Sequence, residues 1–274
     1  MKNVWRKFRK NYIALFGFAI IVLIMVTAIF AKWIAPFDPY EMNPAVMLEP
    51  PSSTHWFGTD QFGRDIFSRV LYGSQISLQV GIISVGIALV IGTIMGVFAG
   101  YYGKWVDAIL SRVTDVLFSF PDILLALVVM AILGPSLTNL MIAIGIVYTP
   151  TFARVARSAV LELRNSLYIE AAQSMGVKAP TIMLRHILPN ALAPIIVQVT
   201  LSLAFAILAE AALSFLGLGV SPDMPSWGVM LSEAKDWMEI SWWTAIFPGI
   251  AITLAVFSFN VMGDGLRDAL DPRL

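Results

Sequence analysis

The sequence predicts an all-α membrane protein with six transmembrane helices and both termini on the cytoplasmic side. Three observations lead there. Hydrophobic residues make up 58% of the 274 and charged residues only 13%, where a soluble domain carries roughly 25% charge; mean hydropathy is +0.79. Six stretches are apolar over nearly the length, roughly 20 residues, that crosses a bilayer's hydrocarbon core. Lysine and arginine are distributed unevenly between alternate connections, as the positive-inside rule requires.

The spans fall at about Tyr12–Trp33, Ile76–Ala99, Ala108–Leu133, Leu137–Ala153, Leu192–Phe215 and Trp242–Val261. The first is too long for the apolar core of a signal peptide and lacks a convincing cleavage site, so it reads as a retained anchor. In the second, Gly92, Gly96 and Gly100 recur every four residues. Such a row of small residues lets a neighbouring helix approach closely; helix packing or a moving hinge would both use it. The third carries Arg112 and Asp115 near its start and Pro121 further on. It is expected to kink at the proline, with a cytoplasmic extension below. Arg112 and Asp115, three apart, read as a local pair.

With six spans, one side receives Lys2, Arg6, Lys7, Arg9, Lys10, Lys104, Arg154, Arg157, Arg164, Lys178, Arg185, Arg267 and Arg273. The other receives Lys32, Arg64, Arg69 and Lys235. The richer side is cytoplasmic. The outer loops, roughly 34–75 and 217–241, are acidic; they suit a partner's surface or plain solvation equally. Arg64–Tyr72 is expected along the outer interface. Residues 1–75 read as a leader unit of tail, first span and Pro-rich outer loop. Residues 76–274 read as a five-helix unit with a cytoplasmic loop at about 154–190.

Several function classes drop out. The chain has no cysteine, so disulfides and thiolate metal sites are excluded. His55 and His186 make no ligand spacing, and no metal site is expected. A net charge of zero argues against nucleic acid. The nearest approach to a phosphate-binding loop is Gly103-Lys104, but Phe98 occupies the place of the first glycine and Trp105 that of the hydroxyl residue. No catalytic residue and no bound cofactor are expected.

The polar stretch from Glu170 to Asn190 is the exception in an oily chain. Leu161 to Ala172 favours helix, and Gly176 can end it because glycine reaches positive φ without strain. Pro180 suits the first turn of a second short helix, and Pro189 a turn leading into the fifth span. Ala171 and Ala172 are expected at the exposed tip of this helix-turn-helix, small enough for a partner's groove. Glu170 beside them can pair with a partner's arginine. Elsewhere, Glu210 is an ionisable residue inside a span and hence a functional candidate; it lines a solute path or closes a structural pair. Gln198 is a second candidate for the path. Asp264, Arg267 and Asp268 are expected to pin the carboxy-terminal end or contact a partner.

The spacing Glu170-Ala171-Ala172-x3-Gly176, closing at Leu188-Pro189, resembles the EAA loop of membrane subunits of bacterial ABC importers. His186 stands where the general pattern has Ile, which bears on packing more than contact. Three further stretches resemble the DppC/OppC branch of peptide and nickel permeases. They are His55 to Arg69, Leu213 to Gly219 with Pro225-Ser226-Trp227-Gly228, and Phe259 to Pro272. Ser226 stands where relatives often have Glu, so a carboxylate role there does not carry over.

The resemblance implies a type I ABC importer (MetI-like) permease fold in a bacterial cytoplasmic (inner) membrane. It implies a homologous second permease (DppB/OppB-like), two cytoplasmic ATPase subunits (DppD/DppF-like) that bind the ATP, and an extracytoplasmic solute-binding protein. Glu170, Ala171, Ala172, Gly176 and Pro189 would then transmit force from the ATPases and do no chemistry. Family frequency favours di- or oligopeptides as cargo, with nickel chelates, glutathione and some oligosaccharides open. An ion-coupled secondary transporter is the different-class alternative; it would show midplane acids and an internal repeat, neither of which is clear. A membrane scaffold without transport is a third reading.

Overall fold

The computed structural model describes residues 6–219, 221 and 223–270; Lys2, Arg273 and Pro272 of the stretches named above lie outside them. The described residues are helical and irregular, with one isolated antiparallel bridge between Thr59 and Asp65. The helices are α1 (Tyr12–Ile34), α2 (Ile66–Tyr102), α3 (Lys104–Phe118), α4 (Asp122–Leu133), α5 (Leu137–Arg164), α6 (Leu167–Ser174), α7 (Ala179–Ile182), α8 (Leu188–Phe215), α9 (Trp227–Ala234) and α10 (Trp243–Leu270). Five continuous helical runs are long and apolar enough to cross a membrane, and the bent pair α3 and α4 makes a sixth.

Polar side chains start these helices where the backbone leaves N–H groups unpaired. Asn11 accepts from Ala14 N at 3.1 Å before α1, and Asp65 accepts from Ser68 N at 2.8 Å before α2. Ser136 and Ser226 do the same for α5 and α9. Pro150, Pro194 and Pro248 lie inside α5, α8 and α10. Membrane helices tolerate such prolines because neighbours re-satisfy the freed carbonyls.

The bundle is built around the pair α2 and α5. A methyl group on Gly92, Gly96 or Gly100 would overlap α5 at Thr149, Phe152, Ala153, Ala156 or Val160. The glycine row is therefore a packing seam, as the spacing predicts. Val80, Val85, Ala88, Leu140, Ile144 and Phe152 fill the core beside it, with Ile195 and Ala206 from α8. On the other flank, α1 lies against α10, where Gly17 brings the chains so close that a Cβ would sit 2.9 Å from Ser258 O.

Two elements depart from expectation. The third span is not one kinked helix: α3 and α4 meet at 93° across Ser119–Pro121. Proline disfavours the α conformation of the residue before it, and Pro121 itself is extended (φ −58°, ψ 136°). α4 has 12 residues, about 18 Å of helix, too short alone for a hydrocarbon core of roughly 30 Å. α3 is amphipathic: Trp105, Ile109, Val113 and Val116 are exposed, while Asp107, Ser111 and Thr114 turn inward.

The other departure is at the outer end. α2 begins at Ile66 and runs for 37 residues, about 55 Å. Arg64–Tyr72 thus opens a long helix and does not lie flat at the interface. The boundary placed at residue 75 falls inside α2, and the outer loop is bonded into the rest of the bundle.

Candidate coupling surface and outer polar lock

At the cytoplasmic end, α5 stops at Asn165, and Ser166 turns the chain into the eight-residue α6. Ser166 Oγ donates to Leu163 O at 2.6 Å. Gly176 then sits at φ +76°. Its N–H bonds Gln173 O at 2.9 Å and Val177 N–H bonds Ala172 O at 3.1 Å. These two bonds form a Schellman cap, which needs a left-handed residue at that position. Gly176 ends the helix as predicted.

Of the two alanines, only Ala171 is exposed. Ala172 is 5% exposed and packs with Val97, Val160, Ile169, Ile182, Met183 and Ile187. This corrects the expectation that both alanines form an exposed tip. One face of a short helix must be buried to hold it, and at Ala172 a small residue lets α6 sit close to the bundle. The exposed edge carries Leu167 (84% exposed), Met175 (76%), Tyr168, Ala171 and Glu170. Leu184 is exposed nearby.

Past Gly176 there is no second separate helix and no turn at Pro189. α7 opens with Pro180 in its first turn and continues through a π-helical segment, Met183–Ile187, directly into α8. Leu188 N–H reaches back five residues to Met183 O. Pro189 has no N–H for the carbonyl four residues back, and its ring would crowd that carbonyl in a regular helix. The wider π turn just before it accommodates both effects. Pro189 is exposed in the first turn of α8.

α5, which leads into α6, is gripped by charge. Arg157 Nε and Nη2 donate to the two Asp107 oxygens of α3 at 2.5 and 2.6 Å, and Ser111 Oγ adds a bond at 3.0 Å. Such bidentate pairs fix orientation as well as distance. Asp115 pairs with Arg154 of α5 at 3.4 Å, and not with Arg112 as its spacing suggests. Both Arg154 and Asp115 are exposed.

The outer end is different in kind. Asp60 Oδ2 accepts from Arg64 Nε at 2.6 Å and Arg69 Nη1 at 3.2 Å. Glu233 Oε2 of α9 accepts from Arg64 Nη2 at 2.8 Å and Arg69 Nη2 at 2.9 Å. Both arginines are buried. His55 Nδ1 lies 2.9 Å from Asp65 Oδ1. Trp243 Nε1 donates to Thr59 O at 3.1 Å and Trp227 Nε1 to Val70 O at 3.0 Å. Gly63 has room for no side chain against Asn43 O. Three of the outer-loop acids, Asp60, Asp65 and Glu233, thus work inside the fold. Burial pushes the Glu233 carboxyl up to about 7, with Arg64 pulling the other way.

Glu210 is fully buried, so it opens onto no path in this conformation. It accepts from Ser77 Oγ of α2 at 3.1 Å and Ser214 Oγ of α8 at 2.9 Å, and the Ser226 hydroxyl also reaches it. A buried carboxylate without hydrogen bonds is costly; here three hydroxyls from three segments converge on it. Of the two readings left open for Glu210, the geometry supports the structural one, with serines as the partners. Gln198 is half-buried and donates to Ser202 Oγ, one turn on in α8, at 3.0 Å. Asp264 and Arg267 make no ion pair among the described residues, while Asp268 lies by Arg6, Lys7 and Lys10.

The outer lock was half visible in sequence. His55 to Arg69 stood out as a block, but Glu233 lies more than 160 positions away and no spacing rule links them.

The chain matches the family model for binding-protein-dependent transport system inner membrane components over residues 92–274. It also matches the N-terminal transmembrane domain of oligopeptide transport permease C over residues 1–51. It is 50% identical over 273 residues to a dipeptide transport system permease protein of Alkalihalophilus pseudofirmus, covering 100% of this chain and 90% of the relative. It is 46% identical over 274 residues to a glutathione transport system permease protein of Pectobacterium atrosepticum, covering 100% and 91%. Among solved structures, the fold resembles the MetNI methionine ABC transporter in an inward-facing conformation. The TM-score is 0.62 at 19% identity, over 75% of this chain and 98% of that one. These matches set aside the secondary-transporter and scaffold readings. The chain belongs to the binding-protein-dependent transport system inner membrane components and is a permease subunit of an ABC importer.

Proposed function

We propose that the chain forms one half of the translocation path of a di- or oligopeptide importer in a bacterial inner membrane. A homologous permease forms the other half, two cytoplasmic ATPases bind the ATP, and an extracytoplasmic binding protein delivers the solute. The observation that carries the coupling part is α6. It presents an apolar edge of Leu167, Tyr168, Ala171 and Met175 to the cytoplasmic side, while Ile169 and Ala172 root it in the bundle. Glu170 at that edge offers a carboxylate to a basic partner. Gly176 sets the angle between α6 and α7.

A push on α6 has two rigid routes into the membrane. One is α5, clamped to α3 through Arg157 and Asp107. The other is the unbroken run from α7 into α8. ATP-driven closure of the ATPases would thus move α5 and α8 together, while the chain itself does no ATP chemistry. The peptide cargo is supported by the dipeptide relative at 50% identity; glutathione, itself a tripeptide, is the second reading, favoured by the relatives named for its transport.

Reconstituted importer with its binding protein tests the cargo. Dipeptides should stimulate ATPase activity and appear inside the vesicles, with glutathione several-fold weaker. Stimulation by glutathione alone would move the assignment to the second reading; stimulation by neither would remove both. Ala171→Asp should cut ATPase retention in the same preparation.

A further inference from the structure

We propose that the cytoplasmic ends of α1 and α10 form a binding site for the headgroup of an anionic glycerophospholipid of the phosphatidylglycerol type. The depth of α1 is set from both ends. Tyr12 and Trp33, at its two termini, are exposed, and aromatic residues of this kind settle at the membrane interfaces. The helix has 23 residues and spans about 35 Å, close to the hydrocarbon thickness. Arg6 to Asn11 therefore fall in the headgroup layer, on the side that the lysine and arginine distribution makes cytoplasmic.

These residues are held in place. Phe8 is 4% exposed and packs with Ala14 and Ala269, with Met262 and Leu266 alongside. Gly265 leaves no room for a side chain against Ala14, so α10 approaches α1 closely there. Arg6, Lys7, Arg9 and Lys10 surround this anchor with their side chains exposed.

Between the arm and α10 lies a cavity of ≈ 500 Å³ lined by Arg6, Lys7, Lys10, Asn11, Gly265 and Asp268. Arg6 and Lys10 outnumber the one carboxylate of Asp268, which favours an anion over a zwitterion. Cationic residues next to a span attract anionic lipids and lose that attraction when neutralised. Asp268 refines the choice: it repels a second anionic group and accepts hydrogen bonds from hydroxyls. One phosphate with free glycerol hydroxyls satisfies both ends of the cavity.

Native mass spectrometry of the assembled importer in mild detergent tests this with added phosphatidylglycerol or phosphatidylethanolamine. The wild type should retain phosphatidylglycerol preferentially. Arg6→Gln/Lys10→Gln should weaken that retention about 25-fold, from about 1 kcal/mol per cation at a membrane surface. Lys104→Gln/Arg112→Gln, which removes two cations elsewhere, should leave it within about twofold. Equal retention of both lipids, equal loss in the two variants, no loss in the first, or displacement by millimolar inorganic phosphate would each overturn the proposal.

Discussion

The two ends of the bundle are held by opposite chemistry. The outer end is closed by directional polar bonds. Asp60, Arg64, Arg69 and Glu233 form a buried square of ion pairs, and three serines converge on Glu210. The cytoplasmic end has a small apolar root under α6 and leaves Leu167 and Met175 uncovered. An apolar edge left bare at a membrane surface is a contact waiting for a protein, whereas a buried ion square resists sliding. The outer end is bonded internally and the inner end is left open, which is what the proposed coupling to cytoplasmic ATPases requires.

Breaking the outer square should have the largest effect. Glu233→Ala leaves two buried guanidinium groups with half their partners, and loss of one member of a buried pair costs about 3–5 kcal/mol. Thermal unfolding of the detergent-purified subunit should show the drop; a change under about 0.5 kcal/mol would reduce the square to a surface feature. Ala172→Asp puts an unpaired carboxylate under α6 and should destabilise by about 1–3 kcal/mol or more, with α6 cleaved faster by protease. Gly176→Ala forces a Cβ into the left-handed region and should cost about 1–2 kcal/mol, reducing transport more than it reduces expression.

Acidity sharpens the contrast. The Glu233 carboxyl lies near 7 in the fold against an ordinary 4.5. A folded-state value above the unfolded one means its stabilisation is fully present below pH 4.5 and is lost as pH rises through about 7. Ionising Glu233 costs burial that its two arginine bonds offset only in part, so the outer end should loosen between pH 5 and pH 8, read by hydrogen exchange around α9, and Glu233→Gln should flatten that profile. A profile unchanged by the substitution would assign the titration elsewhere. The smallest effect belongs to the exposed Arg154 and Asp115 pair: Asp115→Asn should change stability by less than about 1 kcal/mol.

Much of this was legible in the sequence. Apolar length and charge asymmetry located the spans, and the spacing of Gly92, Gly96 and Gly100 pointed to a close helix approach without saying that the neighbour is α5. Gly176 was readable because positive φ at a helix end demands it. What stayed hidden depends on contacts between distant segments. Burial of Ala172 follows from Val97 and Val160 lying beneath it, and alanine suits a surface as well as a core. Asp115 had a nearer candidate in Arg112 than the Arg154 it meets. Pro121 announced a bend but not its 93°. Pro189 signalled an irregularity, which appeared as a π turn before it and not as a break.

The central claim is that the exposed edge of α6 holds the ATPases and does nothing else for the fold. Leu167→Asp/Met175→Asp tests it most directly, since both side chains are exposed and such changes usually shift stability by under about 0.5 kcal/mol each. Co-purification of the ATPase subunits with this variant should fall at least tenfold while its unfolding temperature stays at the wild-type value. Full retention of the ATPases with undiminished uptake would contradict the claim.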